Sequence, residues 1–297
     1  MTDKSRRFKI LDMIYLLMVI LPIAGGIVLK VLTYPESDGI SISGARIFFT
    51  IKMPIQNFPV TESQINSLLV MISITGLCLF LTHGIKEKAD SSRQHIAEWI
   101  VEKTEGLVNG NMGEYFSEFA PFVTAILGLS AFSSLLALFG LYAPTSDLNI
   151  AAGWAILVFV LITYYKCKCG PVQYLKSFAE PVKFLAPLNI ISEAATPVSM
   201  AFRHYGNVLS GAVISVLVAT ALQGVSSALL GWLPGFLADI PLFQVGIPAV
   251  LSIYFDVFSG CLQAYIFATL TMLYISGGFP AEEYFRRRSA KTKKSTD

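Results

Sequence analysis

Apolar residues in this chain are gathered into blocks, and the length of the blocks sets what the chain can fold into. A helix rises about 1.5 Å per residue and bilayer hydrocarbon is about 30 Å thick, so about 20 consecutive apolar residues make one crossing. Blocks of that order occupy 10–32, 63–84, 119–141, 148–165, 184–232 and 239–277. Over 297 residues, 54% are hydrophobic and 14% charged, against roughly 45–50% and about 25% in soluble domains. A soluble enzyme is excluded. A net charge of +2, with the basic residues divided among loops, also excludes nucleic acid as a partner. Of the four cysteines, Cys78 and Cys261 lie in apolar blocks and Cys167 and Cys169 beside lysines, which is no disulfide framework. The Cys167-x-Cys169 pair reads as incidental, and neither a metal site nor a cofactor is expected.

The expected fold class is an all-α polytopic membrane protein with about six membrane segments. Residues 1–9 form a short basic N-terminus and 10–32 an accessory anchor, whose apolar run is too long for a signal peptide and lacks a small-x-small cleavage site. Residues 33–62 carry Pro35, Pro54 and Pro59 and the alternating Ile40-Ser41-Ile42-Ser43, which predicts an extracytoplasmic loop with some strand character. The main membrane domain is 63–277, entered through Thr61-Glu62 as a helix start. Within it, residues 85–113 are polar but place Ile96, Trp99, Ile100, Leu107 and Val108 at helical spacing, the pattern of an interfacial amphipathic helix. The last two blocks are longer than a perpendicular crossing needs, so they tilt or run partly along the membrane plane. Residues 278–297 form a basic cytoplasmic tail.

Loop charge gives the orientation. One set of loops holds the N-terminus, Lys86, Lys88, Arg93, Lys103, Lys166, Lys168, Lys176, Lys183 and the tail Arg286-Arg287-Arg288 with Lys291, Lys293 and Lys294. The alternate set holds Asp147, Asp239, Arg46 and Lys52. By the positive-inside rule both termini are cytoplasmic and six segments cross.

Between Lys183 and Arg286 the one basic residue is Arg203. An arginine inside hydrocarbon costs at least ~2.5 kcal/mol, so by default it marks a functional site. No acid stands three or four residues away, and Glu193, ten residues upstream, is about 15 Å along a helix. Arg203 therefore reads as a permanent cation whose partner comes from another chain. Ser199, Asn207 and Ser210 fall on its helical face, Gly206 and Gly211 thin the helix, and His204 sits about 100° round. A neutral interfacial histidine and a proton relay are both open readings for His204. Glu193 is either a solvated helix-end carboxylate or the polar lining of a water path. In the last block Asp256 and Gln263 are seven residues apart, two turns on one face. Asp256 stands among Tyr254, Phe255, Val257 and Phe258, where a titratable group suits ion transfer.

These residues resemble the a subunit of bacterial F-type ATP synthases. The resemblance runs over about 59–277 and is carried, in order, by Pro59-Val-Thr-Glu, Arg93-Gln-His-Ile-Ala-Glu-Trp-Ile-Val-Glu, Phe119-Ala-Pro-Phe, Pro144-Thr-Ser-Asp-Leu-Asn, Tyr174-Leu-Lys, Arg203-His-Tyr-Gly-Asn and Leu262-Gln-Ala-Tyr-Ile-Phe. It implies that Arg203 is the stator arginine, Asn207 its neighbour and Gln263 the glutamine facing it. Asp256 falls where family members carry Glu or His in the outer half-channel. Two departures are visible. Ala212 replaces a Glu found in some members, which leaves Asp256 as the main outer-channel acid. Ser133-Ser134 replaces an Asn, which makes Ser133, Ser134 and Asp147 fallback lining residues.

The resemblance further implies a non-catalytic, ion-translocating subunit in the bacterial cell membrane. Its last two segments form a hairpin against a c-subunit ring, a b-subunit peripheral stalk and the rest of the synthase are its partners, and its coupling ion is H⁺ or Na⁺. No Gly-x-x-x-x-Gly-Lys loop occurs, so ATP chemistry belongs to partners. Two rival classes fit less. A secondary transporter of an anionic solute calls for matching repeats, and none is visible. A non-transporting assembly protein leaves Arg203, Asp256 and Gln263 without a purpose.

Overall fold

The computed structural model describes residues 3–33, 44–54, 56–87, 91–178, 183–230, 242–279, 281 and 284. Among them the α-helices are α1 (Asp3–Thr33), α2 (Glu62–Thr82), α3 (Ser92–Met112), α4 (Ala120–Leu135), α5 (Leu148–Lys166), α6 (Pro171–Ser177), α7 (Ala186–Leu230), α8 (Leu242–Ser252) and α9 (Gly260–Gly278). A π-helical segment, Ile253–Ser259, joins α8 to α9. Six stretches of the described residues are long and apolar enough to cross a membrane: Phe8–Thr33, Glu62–Thr82, Glu114–Phe139, Leu148–Lys166, Ala186–Leu229 and Gly246–Gly278. The chain is an all-α polytopic membrane protein.

Two strands interrupt the helices, β1 (Ile47–Ile51) and β2 (Phe58–Thr61), paired antiparallel with Ile51 opposite Phe58 and a bulge between Ile47 and Phe49. The expected strand character at Ile40–Ser43 lies outside the described residues, as do Pro35, Lys88, Asp239 and the basic residues from Arg286 to Lys294. The hairpin leads straight into α2, where the Gln64 side chain accepts the Thr61 backbone N–H at 3.2 Å, one half of a capping box. Asp147 caps α5 by accepting the Asn149 N–H at 2.9 Å.

Lipid is as apolar as leucine, so helices in a membrane associate by close packing of small residues and by hydrogen bonds. The main core is built that way. Ala120, Val123 and Ile126 of α4, Ala155, Val158 and Ile162 of α5, and Phe267, Ala268, Met272 and Ile275 of α9 surround Met200 and Ala201 of α7, with Val108 and Met112 of α3 closing one end. A Cβ at Gly260 would lie 2.6 Å from Ser134 Cβ, which shows how near α4 and α9 approach. The expected amphipathic helix is α3, and its apolar residues divide: Val108 and Met112 join the core while Ile96 and Trp99 are exposed.

The accessory helix α1 packs along α2, where a Cβ at Gly76 would meet Met18 Cβ at 2.8 Å and Ser73 Oγ donates to the Val19 carbonyl at 3.1 Å. Its ends are pinned by Lys30, which donates to the Gly140 carbonyl, and by Asp12, which pairs with His83 at 2.8 Å and Arg93 at 3.0 Å. The latter end, where α2, α5 and α9 also terminate, is the basic end, and the opposite one is the hairpin end. At the basic end the Lys168 ammonium sits in a cage of rings, 4.8 Å from the Tyr165 centroid and 5.2 to 6.0 Å from those of Tyr115, Tyr164, Phe279 and Tyr284.

Candidate functional site

Helix α7 is 45 residues long, about 68 Å by helical rise. That is more than twice the hydrocarbon thickness, so it cannot stand perpendicular to the membrane. Met200, Ala201 and His204 are buried against the core, Gly211 and Ser226 are buried further along, and the other described side chains leave a long exposed face. Arg203 stands on that open face. It is exposed beside Phe202, itself 56% exposed, and no carboxylate among the described residues pairs with it. The next residue points the other way, as 100° of helical turn requires. His204 is 1% exposed, with Nε2 3.3 Å from Ser130 Oγ and its ring edge-on to Trp154 and Phe267. His204 thus sits buried where α7 meets α4, α5 and α9.

The other residues expected on the Arg203 face are distributed as helical spacing predicts: Ser199 and Ser210 are exposed and Asn207 is half-buried. Asn207 does more than line that face. Its Nδ2 donates to Ser259 Oγ at 3.0 Å, tying α7 to the π segment. Gly211 allows the same approach, since a Cβ there would come 3.1 Å from Phe255. Gln263 is 5% exposed, and its Nε2 is buried without a hydrogen-bond partner among the described residues.

Asp256 lies inside the π segment, half-buried and without a hydrogen-bond partner among the described residues. A π turn takes more residues than an α turn. The seven-residue spacing from Asp256 to Gln263 is therefore not two turns on one face, and the alignment expected from an unbroken helix does not hold. Such π segments recur at functional sites, where they re-aim a side chain.

Toward the hairpin end, Asp147 has polar partners on two elements, and Ser133 and Ser134 are buried. Ser63 Oγ donates to Asp147 Oδ2, joining α2 to the α5 cap. Ser134 Oγ donates to the Ser130 carbonyl at 3.2 Å, and Ser133 is 1% exposed. Ser130 and Trp154 were not singled out in the sequence. A serine or tryptophan in an apolar block carries no signal of its own, and their contact with His204 is made across 74 and 50 residues.

At the basic end Glu193 is not a free helix-end carboxylate. Lys166 Nζ donates to both of its oxygens at 2.6 Å, and the Tyr174 hydroxyl donates to Oε1 at 3.4 Å. Burial and the Glu193 carboxylate hold the Tyr174 phenol above its usual range, so it stays a donor. The pair borders a cavity of about 200 Å³ between α5, α7 and α9, lined also by Phe159, Thr196, Tyr274 and Gly278. Lys166 was legible only as a loop charge, because its partner lies 27 residues away on another helix.

Among the described residues these groups are an exposed arginine without an ion-pair partner, an asparagine one turn on that is tied to the π segment, a half-buried acid within that segment, a buried amide on α9, and a cavity at the basic end that Lys166 and Glu193 border. Comparison with known proteins agrees with the resemblance. The family described as ATP synthase A chain matches residues 65–276. ATP synthase subunit a of Priestia megaterium is 33% identical over 232 residues, covering 73% of this chain and 92% of that protein. Its counterparts from Macrococcus caseolyticus and Legionella pneumophila strain Philadelphia 1 are 31% and 27% identical, covering 71% and 77% of this chain and 88% and 91% of theirs.

Proposed function

The chain belongs to the ATP synthase A chain family, and from that premise we propose that it forms the stator side of the ion path in the membrane sector of an F-type ATP synthase. In this reading Arg203 faces a ring of c subunits whose carboxylates cross lipid only when neutral, since a bare charge there is costly. As a ring carboxylate reaches Arg203, the guanidinium favours its charged form and the ion is released. Asp256 recharges the next carboxylate from the outer half-channel, and Glu193 lines the inner one. The ring turns to connect the two. Each elementary charge crossing 100 mV contributes about 2.3 kcal/mol, and several supply one ATP made elsewhere in the complex.

The observation that carries the reading is the pairing of opposites at consecutive positions: His204 locked in the core and Arg203 unpaired on the open face. That arrangement supports a partner from outside the chain, because an arginine with no counter-charge of its own is held in hydrocarbon only if something docks against it. The buried Gln263 amide, whose Nε2 has no partner among the described residues, supports a polar partner that the chain itself does not supply. Both termini are cytoplasmic in this reading, and a b-subunit stalk fixes the chain against rotation.

The test is Arg203→Ala in membranes carrying the whole complex. Gradient-driven ATP synthesis is expected to disappear while the c ring still co-purifies with the chain in mild detergent. Coupled synthesis at the parental rate would sink the assignment.

A further inference from the structure

The cavity at the basic end has a feature that an ion outlet alone does not need. Its carboxylate is occupied: both oxygens of Glu193 accept from Lys166, and Tyr174 approaches one of them. The lysine is held there by packing as well as by charge. Its stem crosses α9 at Gly278, where a Cβ would lie 2.8 Å from Lys166 Cε and 3.0 Å from Cγ. Its ammonium is 6.0 Å from the Tyr174 ring centroid. Both partners are largely shielded, at 24% and 18% side-chain exposure, so bulk salt screens the pair weakly.

We infer that Lys166 is the gate of this cavity, holding Glu193 across it so that ion passage requires the pair to open. The inference rests on the reading of the cavity as the inner half-channel. A carboxylate takes up a proton, or coordinates a cation, through lone pairs that here point at an ammonium. The ion and Lys166 therefore compete for the same two oxygens. While the pair is closed, Lys166 also presents its own positive charge to any cation entering from the basic end. The gate opens by a swing of the Lys166 side chain, at the end of α5, away from Glu193 on α7. Gly278 sets how closely the lysine returns.

The experiment uses inverted membrane vesicles with the complete synthase, comparing ATP-driven ion pumping with the reaction of Thr196→Cys, a lining position, toward a charged thiol reagent on the basic-end side, in a chain whose four native cysteines are replaced. Lys166→Gln and Glu193→Gln are each expected to lower pumping at least about five-fold, with the conservative Lys166→Arg recovering most of it. Thr196→Cys is expected to react at least about five-fold faster when Lys166 is glutamine. Gly278→Ala should move both readouts the same way, and it keeps the test open if the charge variants fail to assemble. Parental pumping in Lys166→Gln, or reduced pumping without faster labelling, overturns the gate. Arg203→Ala is the control: if it still synthesises ATP, the parent reading is what fails, whereas an inactive Arg203→Ala beside a normal Lys166→Gln removes the gate alone.

Discussion

Arg203 and His204 are adjacent in the chain and opposite in environment, and that contrast makes residue-level predictions sharp. Lysine keeps the charge of Arg203 but is a compact point charge that gives up its proton when desolvated. Arg203→Lys is therefore expected to keep an assembled complex with most coupled synthesis lost, measured as ATP formed per unit of gradient. Asp256→Asn keeps the size of the side chain and removes its titratable group. Passive ion conductance from the outer side should fall and its pH profile should flatten, and an unchanged profile would count against Asp256. Gly260→Ala tests packing instead of charge. With Ser134 Cβ 2.6 Å from the added methyl, α4 and α9 must separate, and overpacking of that kind costs about 1–3 kcal/mol. The readout is the temperature at which the complex dissociates in detergent.

At the scale of elements, neighbours are fixed by a few polar ties among small residues. The Asn207–Ser259 bond joins α7 to the π segment that carries Asp256, so the angle at which the acid is presented is set from outside its own helix. The cage around Lys168 performs a similar task at the basic end, gathering Tyr115 after α3, Tyr164 and Tyr165 of α5, and Phe279 and Tyr284 after α9. Burial pulls the Lys168 ammonium down from the usual lysine value, but the hydrogen bond to Tyr115 and the neighbouring tyrosines outweigh it and leave it raised. A raised lysine contributes in full below its unfolded value and loses that contribution as pH climbs through the folded one. Lys168→Met should thus lower stability by roughly 1 kcal/mol, a typical cation–π contribution. The difference should hold from neutral pH to about pH 10 and close above it. Thermal denaturation of parent and variant across that range measures it.

For the whole molecule, the core leaves α1 and α7 nearly bare, and for different reasons. Helix α1 is an addition outside the matched 65–276 that packs mainly along α2 and is tied to α3 by the Asp12–Arg93 pair. Helix α7 is the edge at which Arg203 is displayed. Reporter fusions after Met1 and after Asp297 are expected to fall on the same, cytoplasmic side, and a pair on opposite sides would break the six-span topology. How much of this was legible in sequence follows from the physics of each signal. Hydrocarbon acts on residues one at a time, penalising charge and requiring about 20 apolar residues per crossing. The number of spans, the anomaly of Arg203 and the helical face shared by Ser199, Asn207 and Ser210 could therefore be read from order and spacing alone. Other features depend on which helix lies beside which: the Lys166–Glu193 pair across 27 residues, the Asn207–Ser259 tie across 52 and the Ser130–His204 contact across 74. The π turn that re-aims Asp256 belongs with them, since a local periodicity cannot announce its own interruption. Long-range packing selects those partners, so only the folded chain decided them.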